Sequence, residues 1–321
     1  MSIELSAPQP ITQAAPRLAA LIEQAQQFAP LRTAIVHPCQ QDALEGAIDA
    51  TRAGLIEPVL VAPLAKLNKI ANDCGLNLSS YEQHDVPHSH AAAEYAVTLA
   101  AQHRVDALMK GSLHTDELMA TVLGTHGLAD HLRTERRISH VFVIDVASYH
   151  KLLLITDGAI NIAPDLDTKA DILRNAIDLA QALGIAIPKA ALLSAVETVN
   201  SKMIATIDAA ALCKMSERGQ IVGAILDGPL AFDNAISKAA ARIKQIQSQV
   251  SGDADILLAP DLESGNILAK QLEYLSAAQT AGIVLGTRVP IMLSSRADPP
   301  AARRASAAIA QLYTQWCKQR V

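Results

Sequence analysis

Five short segments hold most of the residues that could grip a ligand, and each follows a short apolar run. They are Lys110-Gly111-Ser112-Leu113-His114-Thr115, the stretch from Thr156 through Asp157 and Asn161 to Pro164, Ser194-Ala195-Val196-Glu197, Asp227-Gly228-Pro229, and the stretch from Pro260 to Asn266. In open parallel sheets ligands bind beyond the carboxyl ends of the strands. Small hydroxyl, amide and glycine residues at those ends suit a site that holds polar oxygens with backbone N–H groups and short side chains. A sixth segment, Ser294-Ser295-Arg296, is the sharpest. Its guanidinium offers forked donors, its serines add hydroxyls, and Pro299 and Pro300 open a helix whose positive end would lie nearby, which together suit a phosphate or acyl-phosphate. Gly265 to Lys270 reads as a helix start with Lys270 one turn in. Gly111 to Thr115 lacks the GxxxxGK[ST] spacing of a nucleotide-binding loop.

The elements that would position these segments alternate. Apolar runs at 33–36, 59–62, 107–109, 141–144, 152–155, 190–193, 221–226, 256–258, 283–285 and 289–293 read as ten strands between alanine-rich helical patterns, the rhythm of βαβ units. Ten strands exceed one small sheet. The clearest helix spans Thr168 to Leu183, with Thr168 as its N-cap and Gly184 as its stop. No Pro/Gly/Ser linker divides the chain, so two domains would be joined by crossings of the chain.

Composition narrows the classes further. The chain has 321 residues, 27 Lys+Arg and 32 Asp+Glu, a formal charge of −5 that argues against a broadly basic nucleic-acid surface. Only 3% of residues are aromatic while 58 are alanine, so the core must be built from Ala, Leu, Ile and Val. Cys39, Cys74, Cys213 and Cys317 are solitary and read as reduced thiols of a cytoplasmic protein. The first 16 residues carry Glu4 and two early prolines instead of an export signal. The most apolar stretch, 141–155, is broken by Asp145, His150 and Lys151, so no membrane span is expected. His84, His88 and His90 read as an exposed polar loop, not a metal site.

The segments, taken in order, resemble the phosphate acetyl/butyryltransferases. The resemblance rests on KGSLHT (110–115), RRISHVFVID (136–145), DGAINIAPD (157–165), LLSAVE (192–197), LDGPLAFDNAISKAAA (226–241), ADILLAPDLESGNILAKQL (254–272) and VPIMLSSRAD (289–298). It implies two α/β domains with mostly parallel sheets, residues 1–143 plus 288–321 and residues 144–287, with an active-site cleft between them in a homodimer. It implies Ser295 and Arg296 as catalytic residues that bind the phosphoryl or acyl-phosphate group. Ser112 and Thr115 become hydroxyl donors to the substrate, and Arg133 or Arg137 a second cation. Asp227, Gly228 and Pro229 become a wall of the cleft, and Gly265, Asn266 and Lys270 a further contact with substrate. Asn161 and Asn266 serve as helix caps or as ligand contacts.

The implied reaction exchanges an acyl group between coenzyme A and inorganic phosphate, most simply acetyl, with CoA as substrate and no resident cofactor or metal. Phosphate is already ionised near neutral pH, so the protein must mainly hold two anions together and steady the oxyanion. In reverse, the CoA thiol needs a base. The long acetyltransferase branch has an aspartate seven residues after its serine, where this chain has Ala302. Asp298, Asp227 and His114 are the alternatives. That departure brings the chain closer to the butyryltransferase-like branch. Other readings are a longer-chain butyryltransferase-like enzyme or a non-catalytic acyl-CoA sensor. A metal-dependent decarboxylating dehydrogenase of related fold would need clustered aspartates and a nicotinamide site, and neither is apparent in the sequence.

Overall fold

The fold is given by a computed structural model, which describes residues 15–124, 132–293 and 300–320. Eleven strands lie among these residues: β1 (Leu31–Val36), β2 (Ile56–Ala62), β3 (Glu82–Asp85), β4 (Ala107–Lys110), β5 (Ser139–Asp145), β6 (Leu153–Thr156), β7 (Lys189–Leu193), β8 (Ile225–Leu230), β9 (Ile256–Leu258), β10 (Gln279–Leu285) and β11 (Ile291–Met292). They form one sheet in the order β3-β2-β1-β4-β11-β10-β5-β6-β9-β7-β8. The expected α/β architecture is present. Each half contributes a parallel array, and antiparallel pairing of β11 with β10, β10 with β5 and β5 with β6 joins the arrays edge to edge.

The join decides where a cavity can form. On one face of the sheet a single core runs across both halves, from Ile35 and Ile56 through Val141, Val143 and Ile283 to Ile172 and Ile177. Helices α1 (Pro16–Ala25), α2 (Gln41–Arg52), α3 (Leu64–Asp73), α6 (Leu166–Ala182), α7 (Ile204–Glu217) and α11 (Pro300–Lys318) lie over that face. On the other face the core divides. One part gathers around Ala34, Val97 and Leu118, beneath α4 (Ser89–Ala101) and α5 (Thr115–Val122). The other gathers around Ile144, Ile155 and Leu257, beneath α8 (Phe232–Ile236) and α10 (Leu262–Leu275). Side chains alternate along β5, so Val141 and Val143 enter the shared core while His140 and Phe142 face the gap between the two parts.

Several local expectations are corrected. Strand β3 is absent from the sequence reading, because Glu82-Gln83-His84-Asp85 has no apolar pattern. His84 lies in that strand, between Glu82 and the Tyr95 hydroxyl, and His88 Nδ1 accepts the Ala91 N–H to cap α4, so the three histidines are not a loose loop. Helix α6 begins earlier than expected: Asp165 is the N-cap and accepts the Thr168 N–H at 2.9 Å. Gly184, at φ +92°, follows the helix end as anticipated. The predicted strand 221–226 starts only at Ile225, after Gly223 turns the chain at φ +89°, and continues through Asp227-Gly228-Pro229 to Leu230. Helix α9 (Lys238–Ile243) completes the set. All four cysteines are free thiols.

Candidate functional site

Burial and backbone contact shape the turn after β4. The Gly111 N–H donates to the Val36 carbonyl (2.9 Å) and the Ser112 N–H to the His37 carbonyl (2.9 Å). A Cβ on Gly111 would run into the carbonyl oxygens of Val36 and His37, so only glycine allows β1 and this turn to meet. The Ser112 hydroxyl donates to the His37 carbonyl at 2.8 Å and accepts the Cys39 N–H at 3.2 Å, so it fixes the turn. Buried Lys110 donates to the Leu113 carbonyl at 3.1 Å. Thr115, the first residue of α5, is thereby held at the gap.

The loop after β6 is built on one buried carboxylate. Asp157 is 2% exposed and accepts N–H groups from Ala159 (2.9 Å), Ile160 (3.1 Å) and Asn161 (3.2 Å), plus Asn161 Nδ2 (2.6 Å). Burial pushes its pKa up from the ordinary carboxylate range, and these four donors oppose the shift. The other proton of Asn161 Nδ2 goes to the Ile138 carbonyl at 2.9 Å, so this side chain ties the loop to the start of β5. Gly158 and Gly265 then touch: a Cβ on Gly158 would stand 3.0 Å from backbone atoms of Gly265 and Asn266. Asn266 Nδ2 closes the contact by donating to the Gly158 carbonyl at 3.0 Å.

Between these pieces lies a cavity of about 200 Å³, lined by Thr115, His140, Phe142, Ala159, Asn266, Lys270, Gly282 and Leu293, among others. Thr115, Asn266 and Lys270 therefore come together, with Gly265 and Asn161 supporting the wall behind them. Lys270 donates to Glu273 at 2.7 Å and stands 5.7 Å from the Tyr274 ring centroid. Leu293 is the last described residue before Ser294, so Ser295 and Arg296, with the alternative base Asp298, lie outside the described residues.

Other expected residues stand elsewhere. Arg133 is exposed and pairs through its backbone with Thr287. Arg137 is exposed too; its N–H donates to Asp171 at 3.1 Å and its carbonyl accepts Asn175 Nδ2 at 3.0 Å, while Arg136 pairs with Asp178. Neither Arg133 nor Arg137 lines the cavity. Asp227, Gly228 and Pro229 belong to edge strand β8, four strands from β5, or roughly 19 Å at the usual spacing. His114 is exposed at the start of α5. A wider depression of about 580 Å³, between Tyr149, Phe232 and Leu272, contains none of the expected residues.

Sequence reasoning missed two participants. His140 and Gly282 sit within apolar strands, and the signal for His140 was the polar residue inside the run Ser139 to Ile144. No group of three or more His, Cys, Asp or Glu suited to a metal ion occurs among the described residues. No helix among them is long and apolar enough to cross a membrane.

Comparison with known proteins first gives the class. The solved structure of a branched-chain phosphotransacylase from Enterococcus faecalis V583 matches with a TM-score of 0.77 and 30% identity, over 88% of this chain and 99% of that one. The architecture is that of the phosphotransacylases, which are acyltransferases. The chain belongs to the phosphate acetyl/butaryl transferase family, whose model matches residues 84–310. It is 58% identical over 293 residues to the phosphate acetyltransferase of Rhizobium meliloti, covering 91% of this chain and 92% of the relative. It is 39% identical over 281 residues to the phosphate butyryltransferase of Clostridium beijerinckii, covering 88% and 92%.

Proposed function

We propose that the chain catalyses acetyl-CoA + phosphate = acetyl phosphate + CoA by direct transfer in a ternary complex. What carries this reading is similarity: four relatives named phosphate acetyltransferase are 52–58% identical, whereas those named phosphate butyryltransferase or probable phosphate butyryltransferase stand at 38–45% and a more distant phosphate acetyltransferase, of Thermotoga maritima, at 37%. The cavity supports it. Helix α5 starts there with its positive end, Thr115 and Asn266 offer short polar groups, and Phe142 and Leu293 add an apolar wall for the acyl group. Ser295 and Arg296 come two and three residues after Leu293 in the chain and are assigned the phosphoryl group. Ser112 acts through the turn it fixes. CoA is substrate, and phosphate is the nucleophile.

On the same reading, residues 1–143 plus 288–321 form one domain and 144–287 the other, with the cavity at their seam. The enzyme works in the cytoplasm as a homodimer; exposed Ile204 and Ile207 on α7, and Ile267 and Leu275 on α10, offer apolar surface for a second copy. A second reading, butyryl transfer, is favoured by one observation. Ala302, where the long acetyltransferase branch has an aspartate, is buried in the first turn of α11.

Phosphate-dependent release of CoA thiol from acetyl-, propionyl- and butyryl-CoA decides between them. Acetyl-CoA should react fastest. Faster release from butyryl-CoA transfers the assignment to the second reading, and no phosphate-dependent release from any of the three removes the function. Arg296→Ala should lower kcat/KM at least about 100-fold, as expected for a lost donor to developing charge. An unchanged rate would remove the arginine assignment.

A further inference from the structure

Phe142 stands in the antiparallel seam, on β5 between its two partner strands β10 and β6. It pairs directly with Gly282 of β10, so the two project from the same face of the sheet, and both line the seam cavity. A ring beside a bare glycine leaves a hollow over β10, with the ring as its β5 side. That ring has two close neighbours. His140 meets it edge-on with centroids 4.3 Å apart, and a Cβ at Gly158 would stand 3.1 Å from its Cε2 atom. Val141 and Val143 anchor the strand in the shared core, so the ring is carried by a paired strand and not by a loop.

The cavity, about 200 Å³, is smaller than the roughly 300–1,000 Å³ of a site for a drug-sized ligand. Such a volume suits the reacting end of an acyl-CoA and not its nucleotide. Within it the parts of the reacting group sort by chemistry. Phosphate oxygens need donors, which Thr115 at the start of α5, Asn266 and Lys270 offer, whereas an acyl chain needs none and gains by covering apolar surface. The apolar side chains of the lining are Phe142, Ala159, Ala281 and Leu293. Ala281 and Leu293 are buried in the cores on the two faces of the sheet, and Ala159 is small. Phe142 is only partly buried, which makes it the bulky apolar group that faces the cavity.

Resting on the acetyl-transfer reading above, we propose that Phe142 is the specificity-determining residue of the site: its ring occupies the space into which an acyl chain longer than acetyl would extend. The length accepted is then set by one side chain on β5. The ring is several times the volume of the methylenes that separate butyryl from acetyl, so a smaller residue at position 142 frees room for them. One methylene in an apolar pocket is worth about 10–200-fold in kcat/KM. For butyryl to fit in the wild type, Phe142 would have to leave its contacts with His140 and the Gly158 turn.

Phosphate-dependent thiol release gives kcat/KM for acetyl-, propionyl- and butyryl-CoA in the wild type, Phe142→Leu and Phe142→Ala. In the wild type kcat/KM falls at least about 10-fold for each methylene added. Phe142→Leu recovers propionyl-CoA, and Phe142→Ala raises the butyryl-to-acetyl ratio at least about 10-fold while acetyl-CoA loses its packing partner. A merely structural role lowers all three substrates together and leaves their ratios in place. Unchanged ratios in folded, active variants, or equal use of butyryl- and acetyl-CoA by the wild type, overturn the proposal while acetyl transfer stands. No phosphate-dependent release from any of the three removes acetyl transfer and this role together. Should both variants fail to fold, the otherwise wild-type site decides, because the chain has only three phenylalanines. Labelling with 4-fluorophenylalanine gives three fluorine resonances, and that of Phe142 is the one left when Phe28→Leu and Phe232→Leu remove the others. It moves on adding acetyl phosphate and not on adding inorganic phosphate alone. A Phe142 resonance that stays put at acetyl phosphate concentrations saturating for turnover, or that moves equally with both, overturns the assignment.

Discussion

Gly265→Ala tests whether the cavity depends on contact between α10 and the loop after β6. A Cβ at position 265 would stand 3.0 Å from Ala259 Cβ, and nearer the Asp157 carbonyl oxygen by about 1 Å than the 3.4 Å where ordinary contact begins. The loop cannot retreat, because the Asp157 carboxylate holds three N–H groups and the Asn161 amide. Ala259 is fixed through its N–H to the Thr156 carbonyl at 2.7 Å. The helix must therefore move, taking Asn266 and Lys270 with it. Overpacking of this kind costs about 1–3 kcal/mol, and alanine returns about 1 kcal/mol of helix preference, so the net loss is up to about 2 kcal/mol. At about 2–4 °C per kcal/mol for larger domains, Tm falls by up to roughly 8 °C. Activity should fall further, because a 1 Å misplacement of positioning groups costs about 100-fold. Thermal unfolding and phosphate-dependent thiol release would be measured beside Gly219→Ala, where φ is +73° and a Cβ meets nothing within 4 Å. The control should lose about 1–2 kcal/mol from backbone conformation alone and retain its kcat/KM. If Gly265→Ala matches the control in both measurements, the contact does not position the cavity.

Asp145→Asn should loosen α1, because that buried carboxylate accepts the N–H groups of Arg17 (2.9 Å) and Leu18 (3.2 Å) and the Arg17 guanidinium (2.6 Å). The expected loss is about 2–3 kcal/mol by urea unfolding, the range for hydrogen bonds to a charged group; an unchanged midpoint would show α1 held by its apolar face alone. Asp253 tests pH dependence. Burial would raise its carboxyl pKa, but Lys189, His150 and Lys151 outweigh burial and hold it well below the ordinary range. A depressed folded pKa stabilises above the unfolded value of about 3.9 and is lost as pH falls below it. The stability gap between wild type and Asp253→Asn should be flat from about pH 5 to 7 and close below about pH 4. A gap that widens in acid refutes the sign.

Most strands were legible because parallel strands covered on both faces read as unbroken apolar runs, as in Leu153-Leu154-Ile155 and Ile256-Leu257-Leu258. The turns after β4 and β6 were legible too, since their glycines and short polar residues mark close backbone approach. Their internal bonding was not. Ser112 and Asn161 look like ligand donors in the sequence, but their hydrogen bonds are taken by the His37 and Ile138 carbonyls. The rule that sites follow strands placed Asp227 after a strand; in the fold it lies within β8, because Gly228 and Pro229 are tolerated at an edge. His140 was hidden for another reason. It lines the cavity beside Gly282 and Leu293, some 150 residues later, which only the antiparallel pairings of β10 with β5 and of β11 with β10 bring to it.

The two outer strands also determine how the molecule behaves in a crowded solution. Among the described residues β3 and β8 each pair on one side only, and an unpaired strand margin invites another chain to add to it. At one margin, β3 presents Glu82, Gln83, His84 and Asp85, and Arg32 and Arg104 pair with Glu82. An incoming strand would have to strip water from these charges. At the other margin, Pro229 in β8 has no N–H to offer. The polarity that hides β3 from a hydrophobic pattern search thus also guards against aggregation, and substitutions that made Gln83 or Asp85 β-branched and apolar would trade solubility for a more conventional strand.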